Sequence, residues 1–254
     1  MNLVDSVILG IVEGITEFLP ISSTGHMILV SHLLGLKQNT FEKTFEIAIQ
    51  LGAILAVVFI YKDRLLKGLE LWKKLIAAFI PTGVIGLALH SYVEELFSPL
   101  VVSLALIFWG IVFILMEISL KKKEQPILDP AEVSYSKAVL IGIFQSLAMI
   151  PGTSRSGATI IGSMLLGMNR IAATEFSFLL AIPTMLAATG FEILKNFHTL
   201  SPENGLLLIT GFVTAFVFAF LSVKWLLSFI KTHTFIPFGV YRIIVGVIFL
   251  TFIL

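Results

Sequence analysis

Glu13 and Glu17 stand four residues apart in an otherwise apolar stretch, a spacing that puts both carboxylates on one face of a helix. Two carboxylates held side by side repel, and one takes up a proton unless a cation sits between them. Oxygen donors of this kind suit a hard divalent cation, magnesium or calcium, whose shell phosphate oxygens can complete. The plainer alternative is two partly exposed glutamates on a short interfacial helix. One turn further on comes Pro20-Ile21-Ser22-Ser23-Thr24-Gly25-His26. Ser22, Ser23 and Thr24 can simply cap a helix beginning near Gly25. The same helix start, with its free backbone N–H groups, can also hold an anion. A hydroxyl there has the parts of an activated nucleophile; Ser23 is the candidate, with His26 or Glu17 as its general base.

A second segment, Pro151-Gly152-Thr153-Ser154-Arg155-Ser156-Gly157, repeats the arrangement with an arginine in it. An arginine between two apolar limbs needs an anionic partner or a water-filled cavity, and its planar fork matches two phosphate oxygens. Phosphate binding at this helix start, with Ser154 and Ser156 beside Arg155, is the preferred reading; a salt bridge to Glu13 or Glu17 is the alternative. The remaining polar residues read as bland. Glu117 and Glu192 lie near the ends of apolar runs and are expected to reach the interface. Glu46 and Glu175 lie near helix starts, which favour a carboxylate. Gln50 can line a cavity or make an interhelical hydrogen bond. His32, beside Ser31, reads as structural or interfacial, and Arg242, beside Tyr241, as an interfacial anchor.

The elements that must position these residues are membrane helices. The mean hydropathy is +1.01, and only 13 % of the 254 residues are charged, about half the usual share of a soluble domain. A net charge of +1 gives no footing for nucleic acid, and the absence of cysteine excludes disulfides, iron–sulfur clusters and thiolate zinc sites. No Lys or Arg precedes Lys37, so Met1 to Leu19 is expected to be mature structure rather than a signal peptide. A single polytopic domain over residues 1–254 follows.

Two apolar stretches are interrupted. One runs from Leu3 to Leu19, breaks at Pro20 to His26 and resumes only to Leu36. The other runs from Ala138 to Ile150, breaks at Pro151 to Gly157 and resumes only to Met168. Each second limb is about half a bilayer long, the mark of a re-entrant hairpin, which needs protein or a watery cavity around it. The stretches also resemble each other: Ile8-Leu9-Gly10-Ile11 matches Leu140-Ile141-Gly142-Ile143, and Ser22, Gly25 and Leu33-Leu34-Gly35 fall on Ser154, Gly157 and Leu165-Leu166-Gly167. Paired broken helices in an internal repeat (about 1–118 and 137–254) point to a site between the halves.

Six spans remain, near 45–61, 75–91, 100–118, 174–194, 205–223 and 237–254. Basic loops holding Lys62, Arg64, Lys67, Lys73 and Lys74, then Lys121, Lys122, Lys123 and Lys137, then Lys224 and Lys231, all fall on one side, the cytoplasmic side by the positive-inside rule. Hairpin one then opens outward and hairpin two inward, so the repeats are inverted. The expected fold is an all-α integral membrane bundle of two interlocked inverted-topology repeats, six spanning helices and two re-entrant helical hairpins.

The segments Glu13-Gly14-Ile15-Thr16-Glu17-Phe18-Leu19-Pro20-Ile21-Ser22-Ser23-Thr24-Gly25-His26 and Pro151-Gly152-Thr153-Ser154-Arg155-Ser156-Gly157-Ala158-Thr159 resemble the two signature regions of the undecaprenyl-diphosphate phosphatase family of bacitracin-resistance type. The resemblance extends over essentially the whole chain. It implies a metal-dependent hydrolase that turns undecaprenyl diphosphate into undecaprenyl phosphate and inorganic phosphate, recycling the carrier for peptidoglycan and other envelope polymers and conferring bacitracin resistance. It carries function onto Glu13, Glu17, Ser23, His26 and Arg155. On this reading Glu13 and Glu17 hold the magnesium or calcium. From the helix starts themselves, Ser22, Thr24, Gly25, Ser154, Arg155 and Ser156 are expected to hold phosphate, and because hairpin one opens outward the site is expected to open to the outer face of the bacterial cytoplasmic membrane. The partners are the polyprenyl diphosphate and membrane lipid; a homodimer is compatible with it. The rival from another class is a secondary transporter or a flippase for polyprenyl phosphate, whose usual build is also an inverted repeat with broken helices.

Overall fold

A computed structural model describes residues 1–36, 40–120, 126–195 and 205–252. Among them are eleven α-helices: α1 (Leu3–Thr16), α2 (Ser23–Leu33), α3 (Thr40–Ile60), α4 (Lys62–Lys67), α5 (Leu69–Glu95), α6 (Pro99–Leu120), α7 (Tyr135–Ser146), α8 (Arg155–Leu165), α9 (Arg170–Lys195), α10 (Gly205–Phe229) and α11 (Ile236–Phe252). Four are long and apolar enough to cross a membrane, over Leu69–Leu89, Pro99–Leu120, Arg170–Phe191 and Gly205–Phe229, while Thr44–Ile60 and Ile236–Thr251 are shorter apolar helices. The chain is a helical multi-pass membrane protein. Its outer surface bears this out: α6 exposes Leu104, Phe108, Ile111, Leu115 and Ile118 along one face and buries Val102, Leu106, Trp109 and Phe113 on the other. An exposed apolar stripe of that length suits lipid rather than water.

Both interruptions in the sequence are interruptions in the structure. α1 stops at Thr16 and α2 starts at Ser23; α7 ends at Ser146, one 3₁₀ turn follows over Leu147–Met149, and α8 starts at Arg155. Ser22 and Ser154 occupy corresponding places, each as the N-cap residue, and both have positive φ, 73° and 76°. The helices run further than the apolar runs do. Lys73 and Lys74 lie inside α5, Lys137 inside α7 and Lys224 inside α10 rather than in loops, because good helix formers carry the hydrogen-bonded spiral past the apolar boundary. The basic run Lys121 to Lys123 lies outside the described residues, as does the side chain of Glu192.

The two halves pack across each other. α1 lies against α10, and α7 against α5; α3 and α9 touch each other, and so do α6 and α11. Close approach depends on glycine. A Cβ on Gly10 would sit 2.8 Å from the Gly211 carbonyl oxygen, and one on Gly142 only 1.9 Å from that of Ala78. Two hydrogen bonds lock these seams: Ser222 Oγ donates to the Gly14 carbonyl at 2.9 Å, and Thr82 Oγ1 to the Gly142 carbonyl at 2.8 Å. Backbone cannot yield as a flexible side chain can. Gly142→Ala is therefore expected to prise α7 from α5 and destabilise the fold by about 1–3 kcal/mol, read as a lower unfolding temperature in detergent. An unchanged unfolding temperature would mean that the seam tolerates separation.

One end of the bundle is tied by charge. Arg64 pairs with Asp129 and, at 2.9 Å, with Glu175, and Lys74 Nζ donates to the Ala131 carbonyl at 2.5 Å. Glu117, expected at an interface, is instead buried with no side-chain exposure. Its carboxylate accepts from Arg170 at 2.5 and 2.8 Å and from the Phe235 amide at 2.8 Å. A carboxylate with a guanidinium fork and a backbone donor to hand has no reason to seek water. This knot joins α6, α9 and α11.

Candidate active site

The tips of the two hairpins meet inside the bundle. Glu17, at the end of α1, is buried, and both of its oxygens are engaged. Ser23 Oγ donates to Oε2 at 2.5 Å and Arg155 Nη2 to Oε1 at 2.8 Å. Serine and arginine come from opposite halves of the chain, each from the first turn of a short helix whose start is fixed by a serine cap. Ser22 Oγ accepts from the Gly25 amide at 3.5 Å, and Ser154 Oγ from the Gly157 amide at 3.1 Å. A non-glycine residue at positive φ costs about 1–3 kcal/mol and persists only where its surroundings enforce it. Here the strain aims Ser23 and Arg155 at one carboxylate.

Arg155 is held firmly. Its Nη1 donates to the Ser177 carbonyl at 3.1 Å, its guanidinium lies 5.4 Å from the Phe18 ring centre, and its buried Nε has no partner. Of the two sequence readings of Arg155, the salt bridge to Glu17 is made. Ser156, expected on phosphate, is fully buried and donates instead to the Leu19 carbonyl at 3.0 Å, with Ser154 Oγ also 3.0 Å away. It joins the two tips because its hydroxyl points across the break and not toward open space.

His26 faces away from the serine. Its Nδ1 is 2.8 Å from the Ser22 carbonyl, which can only accept, so Nδ1 carries the proton. Nε2, 2.7 Å from Tyr241 Oη, then accepts from that phenol when the ring is neutral. Of the two candidate bases, Glu17 is the one on Ser23.

Beside the pair lies a cavity of about 500 Å³ lined by Glu13, Thr24, Glu46 and Gln50, with Ser31 and His32 also on its wall. His32 and Ser31, read from sequence as structural or interfacial, are cavity residues. Glu13 is buried, and its Oε1 has no hydrogen-bond partner. A buried carboxylate oxygen without a partner is costly and is the kind of atom a bound cation or a donor group satisfies. Among the described residues no group of three or more His, Cys, Asp or Glu is gathered tightly enough to hold a metal. A magnesium-type ion asks for less, one or two carboxylates with the rest supplied by phosphate and water; Glu13 fits that demand through its unpartnered oxygen, and Glu17, whose oxygens are engaged by Ser23 and Arg155, would share one of them with the ion.

The residue that sequence reasoning missed is Arg242. It is fully buried in α11 and donates to three carbonyls: Pro20 at 3.0 Å, Gly152 at 2.7 Å and Thr153 at 2.9 Å. The one available signal was an arginine inside an apolar run, the feature that singled out Arg155; its closeness to a span end and to Tyr241 made an anchor the simpler reading.

Known proteins with this sequence pattern are close at hand. The undecaprenyl-diphosphatase of Persephonella marina is 59 % identical over 254 residues, covering all of both chains. That of Wolinella succinogenes is 56 % identical over 253 residues, 100 % of this chain and 99 % of its own. That of Aquifex aeolicus is 51 % identical over 251 residues, 98 % of each. The family model described as bacitracin resistance protein BacA matches residues 6–248, a range that takes in both hairpin tips, Glu17, Ser23 and Arg155, and α11 with Arg242. With that match and these end-to-end relatives, the chain belongs to the BacA family of bacitracin resistance proteins.

Proposed function

We propose that this protein hydrolyses undecaprenyl diphosphate to undecaprenyl phosphate and inorganic phosphate, recycling the lipid carrier of envelope polymers and raising tolerance of bacitracin, which captures the diphosphate form. The observation that carries the reading is the hydrogen-bonded set Ser23–Glu17–Arg155 beside a polar cavity, in a chain more than half identical to proteins named for that activity. Phosphoryl transfer needs positioning and charge neutralisation above all. Arg155 and the starts of α2 and α8, with Ser22, Thr24, Gly25 and Ser154, supply positive potential at the transferring group.

Ser23 Oγ attacks the terminal phosphorus. The bond from that phosphorus to the bridging oxygen breaks, and the prenyl phosphate departs. Glu17 takes the serine proton, as its 2.5 Å contact equips it to do. Water then cleaves the phosphoserine and releases inorganic phosphate. His26 orients the α2 start through the Ser22 carbonyl. Glu13 and Glu17 would hold a magnesium or calcium ion, with Glu46 and Gln50 facing the same cavity; bound there, it would neutralise the charge of the diphosphate.

The site opens, on this reading, to the outer face of the bacterial cytoplasmic membrane. Leu36, Phe97 and Pro99 line the cavity together with Glu13 and Thr24 of hairpin one, the hairpin that opens outward when the basic loops are placed in the cytoplasm by the positive-inside rule. The pairings α1–α10 and α7–α5 support a reading of six spans in two interlocked inverted repeats.

Phosphate release from a prenyl diphosphate by detergent-purified protein should stop with EDTA, return with magnesium and fall by about 10²-fold or more in Ser23→Ala. Full release in EDTA would remove the cation from the scheme, and near-parent turnover by Ser23→Ala would leave water as the attacking group. Lipid movement across vesicles without any phosphate release would instead identify a flippase.

A further inference from the structure

We propose that Arg242 is a positioning residue for the hydrolysis: it clamps the two hairpin tips in the register that brings Ser23 and Arg155 to Glu17. The inference rests on the activity proposed above, but its structural half can be tested without it. A broken helix leaves carbonyls with no partner inside the helix. At these two breaks, three such carbonyls, on Pro20, Gly152 and Thr153, all receive a hydrogen from one guanidinium. Pro20 lies three residues after Glu17 and two before Ser22; Thr153 lies two before Arg155. One rigid fork therefore bridges the segments that present all three reacting side chains.

The location of this arginine is informative. Arg242 is roughly 10 Å along α11, within the bundle, and among the described residues no carboxylate is bonded to it. It holds its charge against carbonyl oxygens and the Phe113 ring, whose centre is 5.9 Å from the guanidinium carbon. A fully buried cation is costly at that depth and marks a functional place; its two terminal nitrogens are engaged, while its Nε has no partner among the described residues. The α11 backbone that carries it is itself fixed, because Gly239 abuts the Gly110 carbonyl, 2.7 Å from where a Cβ would stand. Its neighbour Tyr241 meets His26 at 2.7 Å, so one turn of the last helix grips hairpin one from two directions. The positive φ of Ser22 and Ser154 also needs an external constraint. Arg242 supplies it, because its three acceptors flank both serines.

The test compares Arg242→Lys and Arg242→Gln with the parent in detergent. Lysine keeps the charge without the fork; glutamine keeps two donors without the charge. Turnover is expected to fall on the order of 10²-fold in both, the loss that an ångström-scale misplacement brings, with KM changed by less than about threefold because Arg242 touches no substrate. The chain has no cysteine, so nitroxides can be placed at Ile15→Cys and Ile150→Cys, two exposed positions near the tips. The distance distribution between them should broaden in both variants while gel-filtration behaviour and helicity are retained. Near-parent turnover, or reduced turnover with an unbroadened distribution, overturns the proposal. If glutamine prevents folding, the lysine variant decides alone. Parent protein that releases no phosphate removes the activity on which the inference rests, and the distance measurement then still reports whether Arg242 sets the register.

Discussion

Glu17→Gln is expected to lose about 10²–10⁴-fold in turnover, the usual range for removing a general base, and to be less stable as well. Glu17 accepts from Ser23 and Arg155 with both oxygens in a buried setting. Its neutralisation strands the Arg155 charge, and breaking a buried pair from one side costs about 3–5 kcal/mol. Arg155→Met should lose stability to a similar degree, from the carboxylate side. The informative variant is the double one. With both charges gone, neither member of the pair leaves the other unmatched, so Glu17→Gln/Arg155→Met should regain most of the lost stability while remaining without activity. Phosphate release and thermal unfolding on the four proteins separate the two effects. A double variant as unstable as either single would show that the pair is not what the fold depends on. Near-parent turnover by Glu17→Gln would remove its role as base.

A smaller loss of stability, without the loss of chemistry, is expected at Glu117. Its carboxylate has no exposure and accepts from Arg170 and from the Phe235 amide, so Glu117→Ala leaves a guanidinium and a backbone donor unmatched where α6, α9 and α11 meet. A cost of about 1–3 kcal/mol follows, below that of a fully buried pair because the Arg170 side chain is 32 % exposed and water screens its charge. Arg170→Met added to Glu117→Ala should recover part of it. The knot lies at the basic end of the bundle, away from the hairpin junction, so turnover per folded molecule should stay within about threefold of the parent. Unfolding midpoints with active-fraction measurements test this, and a stable variant with depressed turnover would mean that the two ends are coupled.

Legibility in the sequence followed the range of the interactions. Breaks at Pro20–His26 and Pro151–Gly157 could be read because helix interruption is a local matter of proline, glycine and serine. The clustering of Glu17, Ser23 and Arg155 could be anticipated because intramembrane charges must find partners, and few were on offer. Glu117 was misjudged because its partner lies 53 residues on, and nothing in local spacing reveals which helix ends adjoin. Arg242 was misjudged for the same reason: its acceptors are backbone carbonyls 89 to 222 residues away, and a carbonyl has no signature in sequence. That Glu17 and not His26 contacts Ser23 turned on which way an imidazole points, and its partner there is Tyr241 at the far end of the chain.

The pairing of α1 with α10 also has a bearing on how the chain is made. Synthesis reaches Gly205 nearly 190 residues after Thr16, which at about 5–20 residues per second is roughly 10–40 s. Through that interval the first limb, with Glu13 and Glu17 on it, is in the ribosome's vicinity without its seam partner, and lipid is a poor home for either carboxylate. The nascent limb must wait at the bilayer surface or in the keeping of the insertion machinery. Burial of Glu13 and Glu17 is then a late, post-insertion event that neither half can complete alone, and two separately synthesised halves should regain turnover only when they share a membrane.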